Sequence, residues 1–138
     1  MRHETMVISR DMDRWEKRCR ATLFVDFHAP GMCEDTGVYA HVGDPEGMEE
    51  GERQRQEAWT GAAQECLGPY AAANFVRVPT YHARSAWGQF PSASQAARKR
   101  AGVLGVTLET SYVAAGETVL TLDRYREIGE RLAKCCCS

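Results

Sequence analysis

The stretch that decides the fold is Ala21-Thr22-Leu23-Phe24-Val25-Asp26-Phe27, an almost continuous apolar run with aromatic and β-branched residues. The apolar residues do not alternate with polar ones, a pattern typical of a strand buried on both faces in a parallel sheet. The run ends at His28, and Ala29-Pro30-Gly31 then stops regular structure. A second run of this kind, Val103-Leu104-Gly105-Val106-Thr107-Leu108, ends at Glu109. We therefore predict two buried strands, each followed by an ionisable residue.

Helical and further strand patterns separate these two runs. Helices are predicted over Asp11–Arg20, Glu52–Leu67, Ser94–Ala101 and Leu122–Lys134, and shorter strands over Val38–Val42 and Phe75–Val78. The apolar face predicted for the second helix comprises Ala58, Trp59, Ala62, Ala63, Cys66 and Leu67. Buried strands that alternate with helices indicate an α/β fold, a mostly parallel mixed sheet with flanking helices. We expect residues 1–138 to form a single domain that ends in a cysteine-rich tail at 135–138.

Composition and charge exclude several classes of function. The chain has 138 residues, of which 43% are hydrophobic and 26% charged, and its formal net charge is −2. Non-specific binding to nucleic acid or to a membrane surface needs an excess of positive charge, so neither partner is expected. No apolar run approaches the roughly 20 residues that span a bilayer, and the charged start Met1-Arg2-His3-Glu4 lacks the apolar stretch of a signal peptide. We predict a cytoplasmic protein.

The six cysteines do not have the arrangement of a disulfide framework. Cys19, Cys33 and Cys66 are scattered, whereas the other three are consecutive at 135–137. The paired C-x2-C spacing of a structural zinc site is absent from the sequence. The last four residues match a prenylation box poorly. We therefore expect a frayed tail of exposed thiols.

The residues that follow the two buried strands suggest a site. In open α/β sheets, ligands bind beyond the carboxyl ends of the strands, where His28 and Glu109 lie. One imidazole and one carboxylate suit metal-assisted hydrolysis, in which the histidine binds the metal and the glutamate takes a proton from water. In the alternative, His28 is a hydrogen-bonded core histidine and Glu109 a solvated strand end. Asp26 shares a strand face with His28 and would either orient its imidazole or accept hydrogen bonds from a neighbouring loop.

Four segments resemble one family in the correct order. Leu23-Phe24-Val25-Asp26-Phe27-His28 resembles the strand that carries the third zinc ligand in zinc carboxypeptidases of the carboxypeptidase A-like family. Thr107-Leu108-Glu109-Thr110-Ser111-Tyr112 resembles the strand end with that family's catalytic glutamate. Residues 120–133 look like its closing helix. Ile8-Ser9-Arg10-Asp11-Met12 resembles its Asn-Arg-Asp/Asn-Trp segment, with serine and methionine in place of asparagine and tryptophan.

The resemblance implies a function and a role for each matching residue. It implies a zinc-dependent hydrolase that acts on peptides or acylated amino acids by means of a glutamate-activated water. Glu109 would be the base and His28 a zinc ligand. Arg10 would help to hold the terminal carboxylate of the substrate, and Tyr81 would contact the substrate.

The family's first two zinc ligands have no counterpart in this sequence. They come from a His-x-x-Glu motif upstream of the Asn-Arg segment, and the His3-Glu4 pair has the wrong spacing. The chain therefore looks like the C-terminal half of a carboxypeptidase domain, incomplete at its N-terminus. Four residues are candidate substitute ligands: Cys33, Glu34, His41 and His82.

Two other functions are weighed against the hydrolase. A truncated or degenerate carboxypeptidase-like module would bind no zinc and catalyse nothing. Its half sheet would expose an apolar strand edge, which a homo-oligomer would cover. The other alternative is an unrelated small α/β ligand-binding domain, but no glycine-rich phosphate-binding motif follows either buried strand.

Overall fold

The computed structural model describes residues 3–30, 34–78 and 92–136. The predicted substrate contact Tyr81 and the candidate ligands Cys33 and His82 lie outside these ranges. The chain divides into two compact units. The first comprises Met1–Asp26 and Tyr81–Val106, and the second comprises Phe27–Thr80 and Thr107–Ser138.

Helices and strands alternate along the described chain, which confirms the predicted α/β class. The helices are α1 (His3–Cys19), α2 (Glu50–Leu67), α3 (Ala93–Ala101) and α4 (Leu122–Cys136). The strands are β1 (Leu23–His28), β2 (Val38–His41), β3 (Ala71–Arg77), β4 (Leu104–Glu109), β5 (Ala114–Ala115) and β6 (Thr118–Val119). Single 3-10 turns cover Pro45–Gly47 and Gly68–Tyr70. Among the described helices, none has both the length and the apolar composition that crossing a bilayer requires.

The main sheet has the strand order β1-β4-β2-β3. Backbone hydrogen bonds from Leu104 to Thr22 and from Thr110 to His28 show that β4 runs parallel to β1. β2 is antiparallel to β4 and parallel to β3. Two of the three pairings are thus parallel, as predicted for a mostly parallel mixed sheet. β5 and β6 form a separate hairpin.

Position in the sheet explains the different burial of the two apolar strands. All six residues of β4 are buried because β4 has a neighbouring strand on each side. β1 lies at the sheet edge, where its first four residues are half-buried and Phe27 is 65% exposed. The prediction that the first apolar run is buried on both faces is therefore wrong for β1 and correct for β4.

The first unit contains α1 and α3, which pack against each other. Arg100 of α3 forms two hydrogen bonds with the Asp13 carboxylate of α1, at 2.8 and 3.0 Å, and a third with Ser9. α3 begins at a capping box made by Ser92 and Gln95. α1 begins at His3, earlier than the predicted Asp11, so the segment that resembles the family's Asn-Arg motif is helical.

The second unit is built on the packing of α2 against α4 and β3. Leu67, Tyr70, Phe75, Ile128 and Leu132 are buried there. The buried face of α2 is Gln56, Thr60, Ala63 and Leu67. It is rotated relative to the predicted apolar face, because two polar side chains take buried positions and Ala58 is exposed.

Candidate functional site

Glu109 closes β4 and lies in the second unit, where it meets two imidazoles. Its Oε1 lies 3.9 Å from Nδ1 of His28 and 3.7 Å from Nδ1 of His41. The side chain of Glu109 is only 11% exposed, compared with 59% for His28 and 23% for His41. These separations exceed hydrogen-bond length, so the three groups are neighbours in ion-pair range. A carboxylate thus lies between one accessible and one partly buried imidazole.

The strand directions explain why these residues meet. β1 and β4 are parallel, so their carboxyl ends, with His28 and Glu109, reach the same edge of the sheet. β2 runs antiparallel beside β4 and pairs Tyr39 with Glu109 and His41 with Thr107. His41 and Glu109 are therefore diagonal neighbours on one face. The juxtaposition of His28 and Glu109 follows from the sequence pattern, whereas that of His41 depends on the position of β2.

The alternative interpretation of the two predicted residues does not fit this geometry. A solvated strand end would leave Glu109 exposed, but the residue is 8% exposed. A core histidine would be buried, but most of the His28 side chain is exposed.

A second cluster lies beside His41 and consists of Glu34, Thr36, Tyr39 and Arg77. The Tyr39 hydroxyl donates to Glu34 Oε2 at 2.5 Å, and Arg77 Nη1 donates to Glu34 Oε1 at 2.8 Å. Arg77 also donates to the Thr36 hydroxyl at 3.0 Å, and its guanidinium lies 3.5 Å from the centre of the Tyr39 ring. The ring of Tyr39 meets that of His41 edge-on, with 5.2 Å between centroids. This cluster supports one side of the candidate site.

The cluster determines which groups carry charge. The hydrogen bond from Tyr39, together with Arg77, lowers the pKa of Glu34. Burial, followed by the bond to Glu34, raises the pKa of Tyr39, which keeps its proton. Burial and the nearby Arg77 charge lower the pKa of His41, so its imidazole is neutral near neutral pH.

Ser111 holds the segment that follows Glu109, a role that the sequence analysis did not assign. Its hydroxyl donates to the backbone carbonyl of Glu34 at 2.5 Å. Its own carbonyl accepts a hydrogen bond of 2.5 Å from the Tyr125 hydroxyl in α4. Ser111 is 1% exposed, so these bonds are shielded from water. The end of β4 is therefore anchored both to Glu34 and to α4.

The donor types at this site suit zinc, but the number of ligands does not. Imidazole nitrogen and carboxylate oxygen are both common zinc ligands. Among residues 3–30, 34–78 and 92–136, however, no three His, Cys, Asp or Glu side chains are arranged to hold a metal ion. Of the substitute ligands considered, His41 does approach Glu109, and Glu34 is engaged by Tyr39 and Arg77. The described residues do not complete a zinc site.

The other predicted site residues belong to the first unit or lie outside the described residues. Arg10 is exposed on α1, and Asp26 is half-buried in β1, and both belong to the first unit. Their proposed roles in substrate and imidazole binding stay predictions. Tyr81 lies outside the described residues.

Comparisons with known proteins identify the fold. The chain is similar to a putative carboxypeptidase from Burkholderia mallei ATCC 23344, with a TM-score of 0.66 and 18% identity over 91% of this chain and 32% of that one. It is also similar to a metallo-carboxypeptidase from Burkholderia cenocepacia, with a TM-score of 0.64 and 16% identity over 90% of this chain and 32% of that one. A metallo-carboxypeptidase from Pseudomonas aeruginosa is similar as well, with a TM-score of 0.61 and 20% identity over 96% of this chain and 34% of that one.

These similarities show a partial carboxypeptidase-like fold. The chain spans about a third of the length of the solved structures that it matches. No protein-family description and no curated protein matches its sequence. The similarity to the solved structures confirms the fold predicted from the resemblance.

Proposed function

We propose that this chain supplies the general base and one zinc ligand of a metallocarboxypeptidase-like hydrolase. The observation that carries the proposal is the approach of His28 to Glu109 at the ends of two parallel strands. The solved structures with this fold are described as carboxypeptidases or metallo-carboxypeptidases. The proposed reaction is the hydrolysis of an amide bond.

In this proposal Glu109 transfers a proton from the attacking water to the leaving amine. Its carboxylate is shielded from solvent and faces two imidazoles, so it has few competing water contacts. It accepts a proton from the attacking water and passes that proton to the leaving amine. The anchoring of Ser111 keeps the end of β4 in one position, which a general base requires.

His28 is the proposed metal ligand because its imidazole is the more accessible of the two. A catalytic zinc has three protein ligands and one open position, and when bound it polarises a carbonyl or a water molecule. The described residues provide one such ligand in this proposal, and the candidates for the others within this chain are Cys33 and His82, which lie outside the described ranges.

The proposed substrates are peptides or acylated amino acids with a free carboxylate. The matched structure from Pseudomonas aeruginosa contains a succinic acid derivative, (2-guanidinoethylmercapto)succinic acid. Arg10 is the proposed anchor for the substrate carboxylate, and Tyr81 the proposed substrate contact.

A non-catalytic carboxypeptidase-like module is the second candidate, and one observation favours it. The described residues lack a set of three metal ligands, although the fold is present. Such a module would bind substrate-like molecules or a partner protein without hydrolysis.

Zinc content and hydrolysis of the purified chain distinguish the two candidates. The chain, His28→Ala and Glu109→Gln are dialysed against trace zinc, and hydrolysis of N-acyl dipeptides is compared with that of their C-terminal amides. For the hydrolase we expect zinc to be retained by Glu109→Gln and lost by His28→Ala, with hydrolysis lost in both. His3→Ala, an exposed histidine of α1, is the matched control and should behave as wild type. Absence of zinc and of hydrolysis in all four proteins would support the non-catalytic module.

A further inference from the structure

Two cysteines that are far apart in the sequence meet where α2 and α4 end. Cys66 lies in the last turn of α2 and Cys135 in the last turn of α4. Arg131, one turn before Cys135 in α4, donates to the backbone carbonyl of Cys66, and burial, followed by the nearby Cys66 thiol, raises the pKa of the Cys135 thiol. The two helices pack along each other, so this contact belongs to a larger interface.

Arg131 fastens the two helix ends together beside the thiols. Its Nη1 donates to the backbone carbonyl of Cys66 at 3.1 Å, and its Nε donates to Glu127 at 3.0 Å. Glu127 in turn accepts from the hydroxyl of the buried Tyr70 at 2.6 Å. The thiol pair is thus held in place by a network that spans both helices.

The two thiols differ in their access to small molecules. Cys66 is half-buried and lines a cavity of about 410 Å³ together with Glu127, Glu130, Arg131 and Lys134. Cys135 is buried, with 7% of its surface exposed. Glu127, which lines the same cavity, is engaged by its hydrogen bonds to Tyr70 and Arg131. A reagent in the cavity therefore reaches Cys66 first.

We propose that Cys66 and Cys135 are a reversible oxidation site that forms a disulfide with a low-molecular-weight disulfide as the oxidant. The Cys66 thiolate attacks one sulfur of the oxidant, which forms a mixed disulfide and releases one small thiol. Cys135 then loses its proton, attacks the Cys66 sulfur and displaces the second small thiol. The oxidant gains two electrons, and the chain loses two electrons and two protons.

The disulfide would tie the end of α2 to the end of α4. It closes a long loop that contains β3 and β4, so it constrains the unfolded chain strongly. We expect the melting temperature to rise by about 10 °C on oxidation. Reduction with dithiothreitol would reverse the change.

The test uses the full chain with Cys136→Ser and Cys137→Ser, so that position 135 holds the one thiol of the C-terminal segment. The protein is equilibrated with oxidised glutathione, quenched in acid, alkylated with N-ethylmaleimide and digested with trypsin. Cleavage after Arg55, Arg77 and Lys134 releases the Cys66 peptide as residues 56–77 and the Cys135 peptide as residues 135–138. We expect these two peptides to be linked, with a combined mass two hydrogens below that of the reduced pair.

Two further variants show whether the linkage is specific. Cys66→Ser should abolish both the linked peptide and the rise in melting temperature, whereas Cys19→Ser, at an exposed cysteine of α1, should change neither. Recovery of both peptides as maleimide adducts would overturn the proposal. Recovery of Cys66 joined to glutathione alone, or to a cysteine other than Cys135, would also overturn it. The mass analysis does not depend on whether Cys66→Ser folds.

Discussion

Replacing Tyr39 by phenylalanine tests the cluster that supports the candidate site. The change removes the hydroxyl that donates to Glu34 at 2.5 Å and keeps the ring beneath Arg77. A hydrogen bond to an ionised group contributes about 1.5–3 kcal/mol. Glu34 keeps its bond to Arg77, and its side chain is 36% exposed, so water replaces part of the loss. We expect the free energy of unfolding to fall by about 1.5 kcal/mol at pH 7, the lower end of that range.

The effect should depend on pH in a defined direction. The bond from Tyr39, with Arg77, lowers the pKa of Glu34 below its usual 4.5. A carboxyl whose pKa is lower in the folded protein contributes stability above its unfolded pKa, and this contribution is lost as the pH falls through its folded pKa. The difference between wild type and Tyr39→Phe should therefore be full at pH 7 and shrink below pH 4.5.

Urea unfolding followed by far-UV circular dichroism measures this difference. Tyr112→Phe is the matched control, because Tyr112 is 61% exposed, and we expect it to leave stability unchanged. In a Glu34→Gln background the effect of Tyr39→Phe should be smaller, since no carboxylate accepts the bond. An equal loss in both backgrounds, or no loss at pH 7, would refute the reasoning.

Three further predictions concern packing, thiol reactivity and the site. Gly105→Ala would press a methyl group against the backbone of Ser94, 2.8 Å from its carbonyl carbon, so thermal unfolding should show a loss of at least about 2 kcal/mol. Gly61→Ala, which meets open space within α2, should instead be neutral or stabilising by up to about 1 kcal/mol. Burial raises the pKa of the Cys135 thiol from 9.0 to about 11. At pH 8 iodoacetamide should therefore alkylate Cys135 roughly a hundredfold more slowly than an ordinary cysteine, and the rate should rise toward pH 11. Alkylation at the ordinary rate would contradict the burial of this thiol. If the chain is a hydrolase, His41→Gln should lower kcat/KM by about tenfold without loss of zinc, since it removes the partly buried imidazole 3.7 Å from Glu109 Oε1. An unchanged rate would exclude a role for His41 in the reaction.

Several features of the fold could be predicted from the sequence because they depend on local pattern. Continuous apolar runs predicted β1 and β4, and the alternation of strands with helices along the chain indicated a mostly parallel sheet. The direction of two parallel strands then placed His28 and Glu109 at one edge, where the structure has them 3.9 Å apart. The resemblance to zinc carboxypeptidases rested on the same segments, and the fold comparisons agree with it.

Other features needed information about which segments become neighbours. An apolar run looks the same whether its strand is central or at an edge, so the exposure of Phe27 in β1 was not predicted. The expected tail of exposed thiols is wrong at Cys135, because α4 continues through that residue and buries its thiol against α2. The rotation of the buried face of α2 likewise reflects its partners and not its own periodicity.

By itself, the sequence determined the class of fold, and it predicted the two strands that carry the candidate site and the pair of residues at their ends. The tertiary structure alone decided that β2 lies antiparallel beside β4 and brings His41 to Glu109, and that Glu34, Tyr39 and Arg77 form a network beside it. The physical reason is that the pattern of apolar side chains along the sequence indicates only which residues become buried. Which strands pair is decided by packing between segments that are distant along the chain.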